Sequence, residues 1–280
     1  MHKKRILTAL IAAPLLFVVV WWAGLLAFKV VVSFASAIIA FEYCSLCFNE
    51  KELYFWRLWG SILILIPIVT ACIFESQSYI FFSLYVGLVL SIISILFTYS
   101  KLKSPFKHWA FLALGIFYLG LCLSFVILLR VLPFGKKWIV FLLVVIFCGD
   151  AGAYYFGKAF GSHKLCPSIS KGKTKEGALG GIIINFVSAL FMWYILFQNL
   201  NIWKLAFIAV FSGLVGQLGD LAASTVKRYA GAKDSGYILP GHGGFLDRLD
   251  AVILAAPSFY LLILFCFHII PGVVVKVGAW

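Results

Sequence analysis

Acidic residues are scarce in this chain. Only 10 of its 280 residues are Asp or Glu, against 23 Lys or Arg, and charged residues of both signs make up 12%. A soluble domain carries roughly 25% charge, so a water-facing globule is excluded. The 64% hydrophobic content points instead to a membrane-spanning protein. Aspartate is rarer still: there are five, and none precedes Asp150. A disulfide framework is also missing. The seven cysteines (Cys44, Cys47, Cys72, Cys122, Cys148, Cys166 and Cys266) are odd in number and lie mostly in apolar runs. Cys44 and Cys47 form a CxxC, but no second CxxC or His pair completes a metal site, so they read as packing residues. No repeat or low-complexity tract is present. The formal charge of +13 thus reflects missing acids. It suits anionic headgroups and anionic substrates, with no nucleic-acid partner expected.

A spanning helix needs about 20 apolar residues. By that measure spans fall near 6–22, 24–44, 58–74, 78–99, 109–131, 137–157, 178–197, 203–225 and 249–271. The fold class is therefore an all-α polytopic transmembrane bundle of about nine helices. The first run follows MHKKR and outlasts the roughly 7–15 apolar residues of a signal peptide, so it reads as an uncleaved helix. Lys and Arg concentrate in cytoplasmic segments of membrane proteins. With a cytoplasmic N-terminus, the tail and segments 45–57, 100–108, 158–177 and 226–248 lie inside, holding 17 of the 23 basic residues. The expectation is an integral protein of a bacterial inner membrane in that orientation. Residues 1–135, whose acids are Glu42, Glu50, Glu52 and Glu75, read as scaffold. Residues 136–280 read as the catalytic region, with cytosolic loops 158–177 and 226–248.

Three polar elements carry the chemistry. Asp150 ends an apolar run in CGDAGAYYFGK. It is either a functional carboxylate facing a cavity or a water-exposed helix-end residue. Residues 167–177 read PSISKGKTKEG, which offers hydroxyls and ammonium groups to an anion. The spacing is not that of a P-loop, and an ordinary positive-inside loop is the alternative. The third element begins at GQLGD and continues through STVKRYAGAKDSGYILPGHGGFLDRLD. If the helix continues, Asp220, Ser224 and Lys227 share one face at i, i+4 and i+7, with Arg228 alongside. Gly243 and Gly244 permit a close backbone approach. Asp247 and Asp250 lie three apart on a helix start. Asp220 with Asp247 is a candidate pair for Mg²⁺, which is usually held by one or two carboxylates plus substrate phosphates. Neighbouring Lys and Arg suit phosphoryl oxygens.

The stretch from Ser224 to Asp250 resembles the signature of the phosphatidate cytidylyltransferase (CDP-diacylglycerol synthase) family. The match runs through Ser224, Val226, Lys227, Arg228, Lys233, Asp234, Gly236, Leu239, Pro240, His242, Gly243, Gly244, Phe245, Asp247, Arg248, Leu249 and Asp250. GQLGD, SISKGKTKEG and DAGAYYFGK are similar to the same family. Gly172 departs from its pattern, where a second basic residue or proline is common. The recognisable part covers roughly 148–250.

The resemblance implies condensation of CTP with phosphatidic acid to CDP-diacylglycerol and pyrophosphate. It also implies Mg²⁺ with a second cation such as K⁺, membrane lipids around the site, and a homodimer. Asp220 and Asp247 would hold the metal centre, with Asp250 or Asp150 helping. Lys227, Arg228 and Lys233 would bind phosphates, and Lys171, Lys173, Thr174 and Lys175 would close over the substrate. Ser224, Gly243, Gly244 and Arg248 complete the substrate-binding set. His242 is a candidate proton shuttle or a structural, phosphate-binding residue. Among rivals, a polyprenol kinase or related CTP-using transferase is disfavoured by the length of the HGGxxDRxD match. A CDP-alcohol phosphotransferase would need a DGxxAR…GxxxDxxxD pattern. A transporter would show polar broken helices in both halves.

Overall fold

The computed structural model describes residues 17–48, 54–238 and 243–269. Among them, eight helices are long and apolar enough to cross a membrane. They are α1 (Leu25–Cys47), α2 (Tyr54–Phe74), α3 (Gln77–Thr98), α4 (Pro105–Val131), α5 (Gly135–Phe160), α6 (Lys175–Leu196), α7 (Ile202–Tyr229) and α8 (Leu246–Phe267). The only described strands, β1 (Lys164–Cys166) and β2 (Ser170–Thr174), form one antiparallel hairpin between α5 and α6. The protein is an all-α polytopic bundle.

Eight of the nine spans read from hydropathy coincide with these helices. Of the first, 6–22, residues 17–21 are helical, Trp22 is in a turn, and 6–16 lie outside the described residues. The expected break at Gly24 is real: it is the extended N-cap of α1. Ends differ by a few residues for a common reason. Hydropathy stops at the first charge, whereas the helical backbone runs on while long basic side chains carry their charge toward water. Thus α2 takes in Arg57, α4 begins at Pro105, and α7 continues through Lys227 and Arg228. Pro105 suits a first helical turn, where its missing N–H is not needed. Past Tyr229, Gly231 takes the left-handed conformation (φ +68°) that ends a helix.

The chain divides into two compact units. One comprises residues 1–131 with 226–249. Here α2 packs against α1, α3 and α4. Gly60 of α2 meets Cys44 and Leu112, and Gly115 of α4 meets Ile64 and Tyr43, so the helices approach at small residues. The middle of α4 widens into a π-turn, Ile116–Leu121, where Gly120 faces the Ile64 carbonyl and Pro67. The Tyr43 hydroxyl donates to the Phe111 carbonyl at 2.9 Å. Lys29 pairs with Glu75 and also donates to the Cys72 carbonyl. Cys44 and Cys47 are buried free thiols within this packing.

The other unit comprises residues 132–225 with 250–280. In it α5 packs extensively against α6. Gly149 and Gly152 of α5 sit against Asn185 and Ile184, while Gly180 and Gly181 of α6 sit against Phe156 and Gln217. On α7, Gly213 meets Asn185, Gly216 meets Ile146 and Ala251, and Gly219 meets the Asp250 backbone. The β hairpin pairs Lys164 with Thr174 and Cys166 with Ser170. It sits where the sequence suggested an irregular anion-binding or topogenic loop.

Candidate functional site

Asp247 is the centre of the first cluster, in the unit of residues 1–131 and 226–249. It stands in the first turn of α8, and its two oxygens differ sharply. Oδ2 accepts the Ser235 N–H at 2.8 Å, the Gly244 N–H at 3.0 Å and the Ser235 hydroxyl at 3.0 Å. Oδ1 accepts from the Lys227 ammonium at 2.7 Å. Both side chains of this ion pair are largely withdrawn from solvent, at 11% and 6% exposure. A buried pair of this kind holds only when its remaining hydrogen-bonding positions are filled, and here the backbone fills them. Oδ2 is pinned by three donors, whereas Oδ1 faces the more exchangeable ammonium of a flexible lysine.

The paired glycines take on a meaning the sequence did not give. Gly243 lies at φ +81°, and a Cβ there would strike the Asp247 carboxylate. A Cβ on Gly244 would strike Ser235 and Glu42. What the backbone approaches so closely is the chain's own carboxylates. Glu42 is the buried carboxylate of this cluster that sequence reasoning missed. It lies on α1, 4% exposed, and its carboxylate accepts from the Ser235 hydroxyl at 3.1 Å, the Phe245 N–H at 3.0 Å and the Leu246 N–H at 2.9 Å. The available signal was a lone carboxylate inside the apolar run 24–44, which in a membrane span is a functional candidate by default.

The second cluster lies in the unit of residues 132–225 and 250–280. As expected, α7 continues past Asp220, and the Ser224 hydroxyl reaches Asp220 Oδ1 at 3.5 Å. Asp220 Oδ2 pairs with the Lys173 ammonium at 2.7 Å. Asp150, on α5, lies within electrostatic range of both Asp220 and Lys173. A small cleft beside it is lined by Ile146, Gly149, Asp150, Asn185, Gly213, Gly216 and Gln217. Lys173 is delivered by β2, and the hairpin is anchored at both ends. Thr174 is buried and caps α6, accepting the Gly177 N–H at 3.1 Å. Glu176, in the first turn of α6, accepts from the Ser162 hydroxyl at 2.8 Å and from the Ser162 and His163 backbone.

The other expected site residues are placed as follows. Lys171, Lys175, Arg228, Lys233 and Arg248 are exposed. Arg228 donates to the Ala232 carbonyl at 3.0 Å, closing the end of α7. Asp250 is buried at 7% exposure, and its Oδ1 accepts the Ala251 N–H at 2.8 Å. His242 lies outside the described residues.

The donor chemistry fits a hard divalent cation that brings phosphate with it. Asp150 and Asp220 offer carboxylate oxygens beside a displaceable ammonium. Among the described residues no group of three or more His, Cys, Asp or Glu is assembled into a closed cage. Mg²⁺ habitually takes one or two carboxylates and fills its other positions with water and substrate phosphate.

The described chain is thus a polytopic helical membrane protein that holds a carboxylate against a lysine in each of its two clusters. The family model for cytidylyltransferases matches residues 3–266. Phosphatidate cytidylyltransferase of Staphylococcus epidermidis is 33% identical over 264 residues, covering 94% of this chain and 99% of that protein. Those of Staphylococcus haemolyticus and Staphylococcus saprophyticus are 39% and 41% identical over 165 residues, 59% of this chain and 63% of each relative. These two matches therefore span a little under two thirds of the relatives' length. The chain belongs to the cytidylyltransferase family.

Proposed function

We propose that this chain condenses CTP with phosphatidic acid, forming CDP-diacylglycerol and pyrophosphate at the cytoplasmic side of a bacterial inner membrane. A phosphate oxygen of the lipid attacks the α-phosphorus of CTP. The bond from that phosphorus to the bridging oxygen breaks, and pyrophosphate leaves with the electron pair. No covalent enzyme intermediate is needed. The observation that carries the reading is the family match across residues 3–266. Supporting it, the signature residues Lys227, Gly244 and Asp247 form one bonded network with Ser235, which stands between the signature's Asp234 and Gly236.

Both reactants are anions, so the chain must offset their repulsion and the charge that develops in transfer. Lys227 and Lys173 are the ammonium groups assigned to phosphoryl oxygens, each stored against a carboxylate until phosphate competes for it. In the unit of residues 132–225 and 250–280, Asp220 helped by Asp150 would hold Mg²⁺, with a second cation such as K⁺ as the further expected ion; in the other unit Asp247 Oδ1 is the carboxylate oxygen available to a cation. When bound, a divalent ion supplies charge neutralisation at the phosphates. Lys171, Lys175, Arg228, Lys233 and Arg248 are exposed, which supports their assignment to drawing CTP from water. A cytoplasmic N-terminus follows from the distribution of Lys and Arg; a homodimer is the assembly that the family resemblance implies.

The test is incorporation of labelled cytidylate from CTP into chloroform-extractable lipid, with phosphatidic acid present and with or without Mg²⁺. Label should enter the organic phase only when both are supplied. Folded protein that incorporates none would sink the proposal.

A further inference from the structure

Glu42 is a carboxylate in the interior of an apolar helix, and its described bonding partners all come from one distant segment. The three donors are Ser235, Phe245 and Leu246, up to 204 positions away. Phe245 and Leu246 carry N–H groups at the start of α8, where a helix has no acceptors of its own. A carboxylate there satisfies them and complements the helix dipole. Withdrawing that carboxylate from water is costly unless it is fully hydrogen-bonded, so the segment and Glu42 hold each other in one arrangement. Gly236 and Gly244 leave the space: a Cβ at either would meet the Glu42 carboxylate.

Ser235 extends the connection. Its hydroxyl lies 3.1 Å from Glu42 Oε2 and 3.0 Å from Asp247 Oδ2. One hydroxyl has one proton to donate, so it links the two carboxylates and serves them alternately. The remaining donors to Asp247 Oδ2 are the backbone of Ser235 and of Gly244, and Glu42 holds both neighbourhoods. We infer that Glu42 is a positioning residue for Asp247: it fixes the first turn of α8 and thereby aims Asp247 Oδ1 and the Lys227 ammonium. Its catalytic consequence rests on the proposed cytidylyl transfer. Glu42 itself touches no substrate in this scheme.

The experiment uses the full chain in lipid bilayers and compares Glu42→Gln, Glu42→Asp and Glu75→Gln. Glutamine keeps the shape of Glu42 but sets an NH₂ group against a backbone N–H. Glu75→Gln breaks the Lys29 pair in the same unit, far from the α8 start in sequence. Glu42→Gln should lower kcat about ten- to a hundredfold, the scale of a small misplacement of a reacting group. KM for CTP should change little, as expected when the loss is felt in the transition state. Glu42→Asp, which keeps the charge, should recover part of kcat. Glu75→Gln should lower the melting temperature while leaving kcat near wild type. Hydrogen exchange in peptides covering 243–249 should accelerate in Glu42→Gln and not in Glu75→Gln. Wild-type kcat with unchanged exchange in Glu42→Gln would overturn the inference. So would losses of kcat in both Gln variants that simply follow their melting temperatures. If Glu42→Gln does not fold, Glu42→Asp decides: a folded Asp variant with wild-type kcat and exchange refutes the role. Exchange needs no turnover, so an inactive wild type would defeat the functional reading while exchange still decides the role of Glu42.

Discussion

The two carboxylates that the sequence pairs in one metal centre live in different surroundings. Asp247 is enclosed: its Oδ2 takes two backbone N–H groups and a hydroxyl, and its Oδ1 takes a buried lysine. Asp220 is open by comparison, about a third exposed, with a distant Ser224 hydroxyl and Lys173 from the hairpin as its described partners. The difference teaches that one aspartate carries two loads. Asp247 ties the signature segment together and, in the proposed reaction, would also offer Oδ1 to chemistry, whereas Asp220 is held by fewer partners and in that proposal would serve chemistry alone.

Asparagine substitutions should break that comparison most visibly. Asp220→Asn and Asp247→Asn are both expected to abolish cytidylate incorporation, with losses of at least about a hundredfold. Only Asp247→Asn should also lower the melting temperature, since an amide cannot accept at both oxygens as the carboxylate does. Equal melting temperatures for the two variants would contradict the assignment. Next in size, Lys227→Met leaves the Asp247 charge buried without its ammonium and should destabilise by about 3–5 kcal/mol. Lys173→Met, at the more open site, should cost less than about 1 kcal/mol while raising KM for CTP. Denaturant melts beside CTP titrations separate the two. Gly244→Ala forces a methyl group into Glu42 and Ser235 and should destabilise by about 1–3 kcal/mol. Smallest, Thr174→Ala removes the cap of α6 and should cost about 1 kcal/mol, with Thr174→Ser restoring most of it.

Much of this was legible in the sequence. Long apolar runs specify spanning helices because the bilayer leaves the backbone few other ways to satisfy its hydrogen bonds, and eight spans fell where hydropathy placed them. The pattern from Ser224 to Asp250 revealed the family and the polar segment. What it could not reveal is contact across great sequence distance. Nothing near Ser235 or Leu246 announces that Glu42 of α1 supplies their acceptor, because pairing across 193 to 204 positions is set by helix packing and not by local pattern. Lys173 and Thr174 show the same limit at shorter range. The alternating pattern marks both as candidate substrate ligands but says nothing of their partners within the chain. The hairpin sends Lys173 to Asp220 and turns Thr174 inward to cap α6.

The most direct measurement follows the fate of two labels in CTP. With phosphatidic acid and Mg²⁺ supplied, α-phosphorus label should move into the chloroform-soluble lipid, while γ-phosphorus label should stay in water as pyrophosphate. Label from the γ-phosphorus appearing in lipid would make the protein a kinase and contradict cytidylyl transfer.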